Sequence, residues 1–160
     1  MKITNIPKIF SPSNARLDID QRFHRVGEWT IGGVNCSWMI KGFFEPTSMA
    51  NLKDKPTTIT EETISETIKT ASFGTEKLAF DEKAIYLTEE LPVACLLADN
   101  AYIKIYINAY YLSFFLKVKT KNEITFWGKE NGKMVIVREN DNIIGAVGII
   151  KINEKKEIVP

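Results

Sequence analysis

The side chains that most often carry out chemistry are scattered along this sequence and form no catalytic motif. The single histidine, His24, has no serine or cysteine nucleophile motif and no acidic partner near it in sequence. The spacing of Gly27, Gly32 and Gly33 fits neither the dinucleotide-binding pattern nor the P-loop pattern. We therefore expect that the protein is not an enzyme and that it uses no cofactor.

Candidate metal ligands are equally sparse. The adjacent carboxylates Asp81-Glu82 and Glu89-Glu90 are more typical of solvated turns than of a metal site. Cys36 and Cys95 stand far apart and lack the C-x-x-C pairing of metal or redox sites, which favours buried structural thiols. A disulfide between them stays open, although an intracellular compartment argues against it. We expect no metal ion.

The apolar residues give no sign of a membrane segment. No apolar run reaches the roughly 18 residues that span a bilayer, and residues 1–7 lack the apolar core of a signal peptide. These features predict a cytoplasmic protein with no membrane partner.

Lysines are the main candidates for binding. Six of them lie near one another in the C-terminal part of the sequence: Lys104, Lys117, Lys119, Lys121, Lys129 and Lys133. Such a basic strip could contact phosphates, but lysine is also favoured at a helix C-terminus by the helix dipole. Both interpretations stay open.

Two helices are predicted to position these lysines. The first would begin at Thr60 as its N-cap and end before Gly74, with Ile64, Ile68 and Ala71 on its apolar face. The second would follow a strand at 101–107, with Asn108 as its N-cap, and its apolar face would comprise Ala109, Leu112, Phe115 and Leu116.

Strands account for most of the remaining pattern. Gly32-Gly33 predicts a two-residue hairpin turn, and Pro92 predicts that residues 91–98 form an edge strand or an irregular segment. A tight hairpin at 81–83 would join two further strands, and an Asn131-Gly132 turn would help to connect the last three. The alternating segments lie at 77–80, 84–88, 123–127, 134–138 and 143–152.

The chain divides into three predicted parts. Residues 1–56 would form an N-terminal strand and hairpin segment with a linker, 57–152 a domain, and 153–160 a frayed tail. Strand, helix and strands occur twice within 57–152. The sequence therefore predicts an α+β fold with two helices on one face of antiparallel sheets.

Three segments resemble the C-terminal part of a bacterial DNA polymerase sliding clamp (beta subunit). Residues 107–116 resemble the family's Phe-Asn-x-x-Tyr-Leu-x-x-x-Leu, with Asn108, Tyr111, Leu112 and Leu116 in register. Residues 39–46 resemble its Leu-Ile-x-Gly-x-Phe-Pro-Asp, matching Ile40, Gly42 and Phe44. Residues 57–88 follow the order of elements expected at the start of its last domain.

This resemblance implies a DNA-clamp (processivity-fold) domain at 57–152 and a non-catalytic role in DNA replication or its control. The implied partners are DNA, replication proteins or another clamp-type subunit, and a ring would require a homo-oligomer, since one such domain cannot encircle DNA. The implied DNA-facing residues are Lys69, Lys104, Lys117, Lys119 and Lys121. The implied partner groove would use Pro46, Val147 and Ile149.

The sequence departs from the family at residues 147–152. Where the family ends in Val-Met-Pro-Met-Arg-Leu, this chain has Val-Gly-Ile-Ile-Lys-Ile. This difference favours an alternative, a small interaction or inhibitor protein, encoded by a mobile element, that uses the clamp domain as a scaffold. An enzyme with a site assembled from distant residues is a third hypothesis.

Overall fold

The structure is a computed structural model, and it describes residues 22–32, 38–41, 53–54, 57–81, 85–88, 91–108, 111, 115, 122–152 and 158–159. These residues contain one continuous helix, α1 (Glu61–Ser72), among strands. The strands are β1 (Arg22–Val26), β2 (Trp29–Gly32), β3 (Trp38–Lys41), β4 (Lys53–Asp54), β5 (Glu76–Lys77), β6 (Ala79–Phe80), β7 (Ile85–Thr88), β8 (Leu91–Ala98), β9 (Ile103–Asn108), β10 (Ile124–Gly128), β11 (Met134–Glu139), β12 (Asn142–Ile152) and β13 (Ile158–Val159).

The first predicted helix is confirmed as α1. The Thr60 hydroxyl accepts a hydrogen bond from the Thr63 amide at 3.2 Å, which caps the helix N-terminus. Ile64, Ile68 and Ala71 are all buried, as their spacing predicts. The helix therefore owes its position to one apolar stripe that packs on a sheet.

That sheet, called here the main sheet, has the strand order β4-β1-β2-β3-β12-β11-β10-β5. The three predicted C-terminal strands form an antiparallel meander, β10-β11-β12. On the other edge of β12, β3 pairs antiparallel with it through Ile40 and Gly145. The N-terminal hairpin β2-β3 thus belongs to the same sheet as the C-terminal meander.

A second sheet consists of β6, β7, β8, β9 and the C-terminal end of β12. β12 pairs with β3 as far as Val147 and with β9 from Ile149, so its partner changes within a few residues. Ile158–Val159, in the tail expected to fray, pair with residues 151–152 of the same strand. Because one strand belongs to both sheets, the sheets diverge from β12 and face each other.

The core has two parts, one on each face of the main sheet. The inner core lies between the two sheets and includes Val135, Val137 and Val147. The outer core lies under α1 and includes Met134 and Ile136 from the same strand. Four consecutive apolar residues in β11 reflect a strand that is buried on both faces.

The predicted pair of helices on one face of antiparallel sheets is wrong, and with it the α+β clamp arrangement and its repeated unit. The described residues form mostly antiparallel sheet with the single continuous helix α1. From the segment predicted as the second helix, the structure describes Tyr111 and Phe115, both helical and both in the inner core. The inner core lies on the face of the main sheet opposite α1, so these two residues lie across that sheet from the helix. They supply the apolar cover that this face of the sheet needs.

Two strand predictions are also corrected. The segment with Pro92 is β8, which is central because it pairs with β6, β7 and β9. Pro92 is tolerated beside an irregularity in the β7-β8 register, between Tyr86 and Thr88, where ladder bonds are interrupted. The predicted hairpin at 81–83 is wrong as well, because β6 and β7 each pair antiparallel with β8 instead of with each other. Residues 82–84 lie outside the described part.

The Gly32-Gly33 turn is a third correction. β2 and β3 do pair, but Gly32 is a strand residue opposite Trp38, so the connection lies within 33–37, outside the described residues. A Cβ on Gly32 would lie 2.3 Å from the Trp38 ring. Gly32 therefore makes room for a buried indole instead of forming the turn.

Gly145 gives a test of the inner core. A Cβ there would lie 2.4 Å from the Phe115 ring and 2.5 Å from the Met39 carbonyl oxygen, which cannot move without disturbing β3. We expect Gly145→Ala to lower the free energy of unfolding by about 1–3 kcal/mol, the usual cost of overpacking. Urea denaturation measures this change.

Gly128→Ala is the matched control. Its Cβ would approach Leu78 Cδ1 at 3.0 Å, the end of a flexible side chain, so the expected loss is smaller. Equal stability of Gly145→Ala and the unaltered protein would contradict the packing of Phe115 on β12.

Candidate functional site

Two clefts lie on either side of the turn that joins β10 and β11. In this turn the Gly132 amide donates to the Lys129 carbonyl at 3.1 Å, and Asn131 adopts a positive φ of 58°. The predicted Asn131-Gly132 turn is thereby confirmed. Lys129, Asn131 and Gly132 line both clefts.

The first cleft, of about 440 Å³, separates the turn from α1. Lys129 bridges it: the Nζ atom donates to the Phe73 carbonyl at 2.6 Å and lies 3.5 Å from the Thr70 carbonyl. A lysine ammonium is stabilised at a helix C-terminus by the unpaired carbonyls and the helix dipole. Lys129 therefore holds the end of α1 against the turn, and this cleft is mainly a structural junction.

The second cleft, of about 380 Å³, lies between β9, the end of β12 and the same turn. It brings together lysines and tyrosines, and Glu130 is the one acidic side chain among its described lining residues. Lys104 and Lys151 are exposed, and Tyr102 is 86% exposed. The cleft therefore has a positively charged lining with aromatic rings beside it.

Tyr102 stands at the end of a strained hairpin between β8 and β9. Its amide donates to the Asp99 carbonyl at 3.0 Å. Asp99, Asn100 and Ala101 have φ values of 50°, 53° and 72°, in the left-handed region that disfavours a residue with a Cβ. The Glu76 carboxylate stabilises the turn by accepting from the Asp99 amide at 2.6 Å.

The structure brings together only part of the predicted site. Lys104 lines the second cleft, whereas Lys69 is exposed on α1 and lines neither cleft. Lys117, Lys119 and Lys121 lie outside the described residues.

The predicted partner groove is likewise divided. Val147 is fully buried in the inner core, whereas Ile149 lines the second cleft and donates its amide to the Lys133 carbonyl at 2.9 Å. Pro46 lies outside the described residues. Val147 therefore offers no surface to a partner, and Ile149 belongs to the same cleft as Lys104.

Sequence reasoning missed three residues of this cleft, Tyr102, Tyr106 and Lys151. Lys151 lines the same cleft as Lys104 only because β12 pairs with β9, a contact between distant parts of the chain. Tyr102 and Tyr106 fit the alternating pattern of an ordinary strand, in which tyrosine is common. Nothing in the sequence therefore indicated that they line a binding cleft. Only the exposure of Tyr102 distinguishes it, and exposure is a property of the folded chain.

Metal-binding clusters are absent from the part of the chain that the structure describes. No group of three or more His, Cys, Asp or Glu side chains lies close enough there to hold a metal ion. Within the same residues, no helix has both the length and the apolar character needed to cross a membrane.

Cys95 lies in β8, its side chain is buried, and it forms no disulfide, which confirms the prediction of a buried thiol at this position. Burial is the main cause that raises the pKa of Cys95 to about 11. Repulsion from Asp81 adds to this effect and Lys104 opposes it. Cys36 lies outside the described residues.

A scan against protein-family models and searches of curated proteins and of solved structures found no match. The resemblance to bacterial sliding clamps therefore stays a prediction.

The strained hairpin predicts a stabilising substitution. Glycine adopts positive φ without steric cost, so Ala101→Gly should raise the free energy of unfolding by about 1 kcal/mol. The matched control is Ala79→Gly in β6. There glycine relieves no strain and only increases the conformational entropy of the unfolded chain, so the free energy of unfolding should fall by about 0.5–1 kcal/mol. Thermal or urea unfolding measures both, and a destabilised Ala101→Gly protein would contradict the left-handed turn.

The buried thiol predicts a pH dependence. Because the pKa of Cys95 is raised in the folded state, only the unfolded chain ionises this thiol at first as pH rises above about 9. Stability is therefore complete below that pH and decreases towards pH 11. Alkylation of Cys95 at about pH 8, followed by peptide mass mapping, should be much slower in the native protein than in urea. Equal alkylation rates would show an accessible thiol.

Proposed function

We propose that this protein is a non-catalytic DNA-binding protein that acts in replication or its control, and that the second cleft contacts the phosphates. The observation that carries the proposal is that Lys104 and Lys151 both line one cleft whose described lining includes a single acidic residue. Lysine contacts to phosphate release counterions, which supplies most of the affinity in sequence-independent binding.

The charges on α1 argue against this helix as the surface that contacts phosphates. Glu61, Glu62 and Glu66 are exposed on the helix, so α1 presents an acidic surface that would repel a phosphate backbone. Lys69 is the one basic residue of its last turn. Phosphates are better accommodated on the opposite side of the β10-β11 turn.

The replication role rests on the resemblance to sliding clamps and on no feature of the cleft itself. A cytoplasmic location belongs to the same proposal.

Substituting the two exposed cleft lysines tests the proposal. The double variant Lys104→Glu with Lys151→Glu should bind labelled DNA roughly tenfold or more weakly and reduce the salt slope of the binding constant by about 2, one for each lost phosphate contact. Fluorescence anisotropy over a series of salt concentrations measures both quantities.

Lys77→Glu is the matched control, because Lys77 is exposed on β5 and lines neither cleft. Lys69→Glu separates the cleft from the helix: it should leave affinity unchanged. A loss of affinity with Lys69→Glu but not with the double variant would transfer DNA contact to α1. An absence of DNA binding at low salt would overturn the proposed function.

A further inference from the structure

The tyrosines of the second cleft bear on which form of nucleic acid it accepts. Tyr102 is 86% exposed at the tip of the β8-β9 hairpin, and Tyr106 is partly buried further along β9. Burial, the largest cause, raises the pKa of the Tyr106 phenol. The two rings add aromatic surface to a cationic cleft.

Aromatic rings bind bases by stacking on their faces. In a duplex each base face is covered by its neighbour, so a tyrosine reaches it only by intercalation, which costs unstacking energy. In a single strand the faces are accessible, and stacking is tolerant of sequence because every base has such a face. A cationic cleft with an exposed tyrosine therefore suits a single strand.

The spacing of the two tyrosines leads to the same conclusion. Four residues of extended chain separate them by roughly 13 Å. Bases stacked within one strand of a duplex are only about 3.4 Å apart. Two rings at the larger spacing fit bases that are no longer stacked on each other, as in an extended single strand.

The shape of the site also argues against a duplex. Proteins that read double-stranded DNA insert a protruding helix or β-ribbon into a groove about 12 Å wide. The second cleft is a concavity of about 380 Å³, and α1 carries the exposed carboxylates described above. A cleft of this size accepts about one nucleotide-sized group.

We infer that the second cleft binds single-stranded nucleic acid, with Tyr102 stacking on a base while Lys104, two residues further on the same face of the chain, contacts a flanking phosphate. This inference rests on the proposed function and specifies its ligand. Glu130 at the rim limits the charge of the cleft, so stacking contributes a larger share of the affinity than it would in a wholly basic groove.

Tyr102→Ala tests the inference. The probes are a labelled oligothymidine of about 12 nucleotides and a blunt duplex of the same length, both at about 50 mM salt. The unaltered protein should bind the single strand more tightly, and Tyr102→Ala should weaken that binding roughly 5- to 100-fold while changing duplex affinity little. Tyr102→Phe, which keeps the ring, should restore most of the affinity.

Phe73→Ala is the matched control, because Phe73 is 82% exposed at the end of α1 and lines neither cleft. Unchanged single-strand affinity in Tyr102→Ala, or an equal loss in Phe73→Ala, would overturn the inference. Equal or tighter binding of the duplex would overturn it too while leaving the proposed function standing. A protein that binds neither probe would overturn both.

Discussion

The structure depends on one shared strand. β12 pairs with β11 along one edge, while its other edge pairs first with β3 and then with β9. The two sheets are therefore joined by backbone hydrogen bonds as well as by side-chain packing. This junction creates the inner core, and it also places the end of β12 beside β9, where the second cleft lies.

Packing at this junction is close enough to restrict which residues can occupy it. Gly32 lies against the Trp38 ring and Gly145 lies against Phe115, so both positions give space to a buried aromatic ring. Rings of this size contribute much of the apolar area in a core. The junction thus combines bulky side chains with residues that have none.

Local features of the sequence predicted local structure well. Helix α1 was predictable because its cap, its apolar spacing and its terminating Gly74 all lie within fifteen residues of chain. The central position of β8 and the role of Gly32 were not, because both depend on partners far away in sequence. Of the cleft, Lys104 and Lys129 were predicted as members of a basic strip, whereas Lys151 depends on a strand pairing that no local pattern encodes.

The pairing of β3 with β12 has a consequence for how the chain folds. Ile40 and Gly145 are paired, and closing a loop of about a hundred residues costs on the order of 4 kcal/mol in chain entropy before the contact stabilises anything. Domains dominated by such non-local strand pairs fold slowly. During synthesis, the β2-β3 hairpin leaves the ribosome long before β12, and its open edge must remain unpaired in the meantime. A strand made late in synthesis, β12, is therefore the one that joins both sheets.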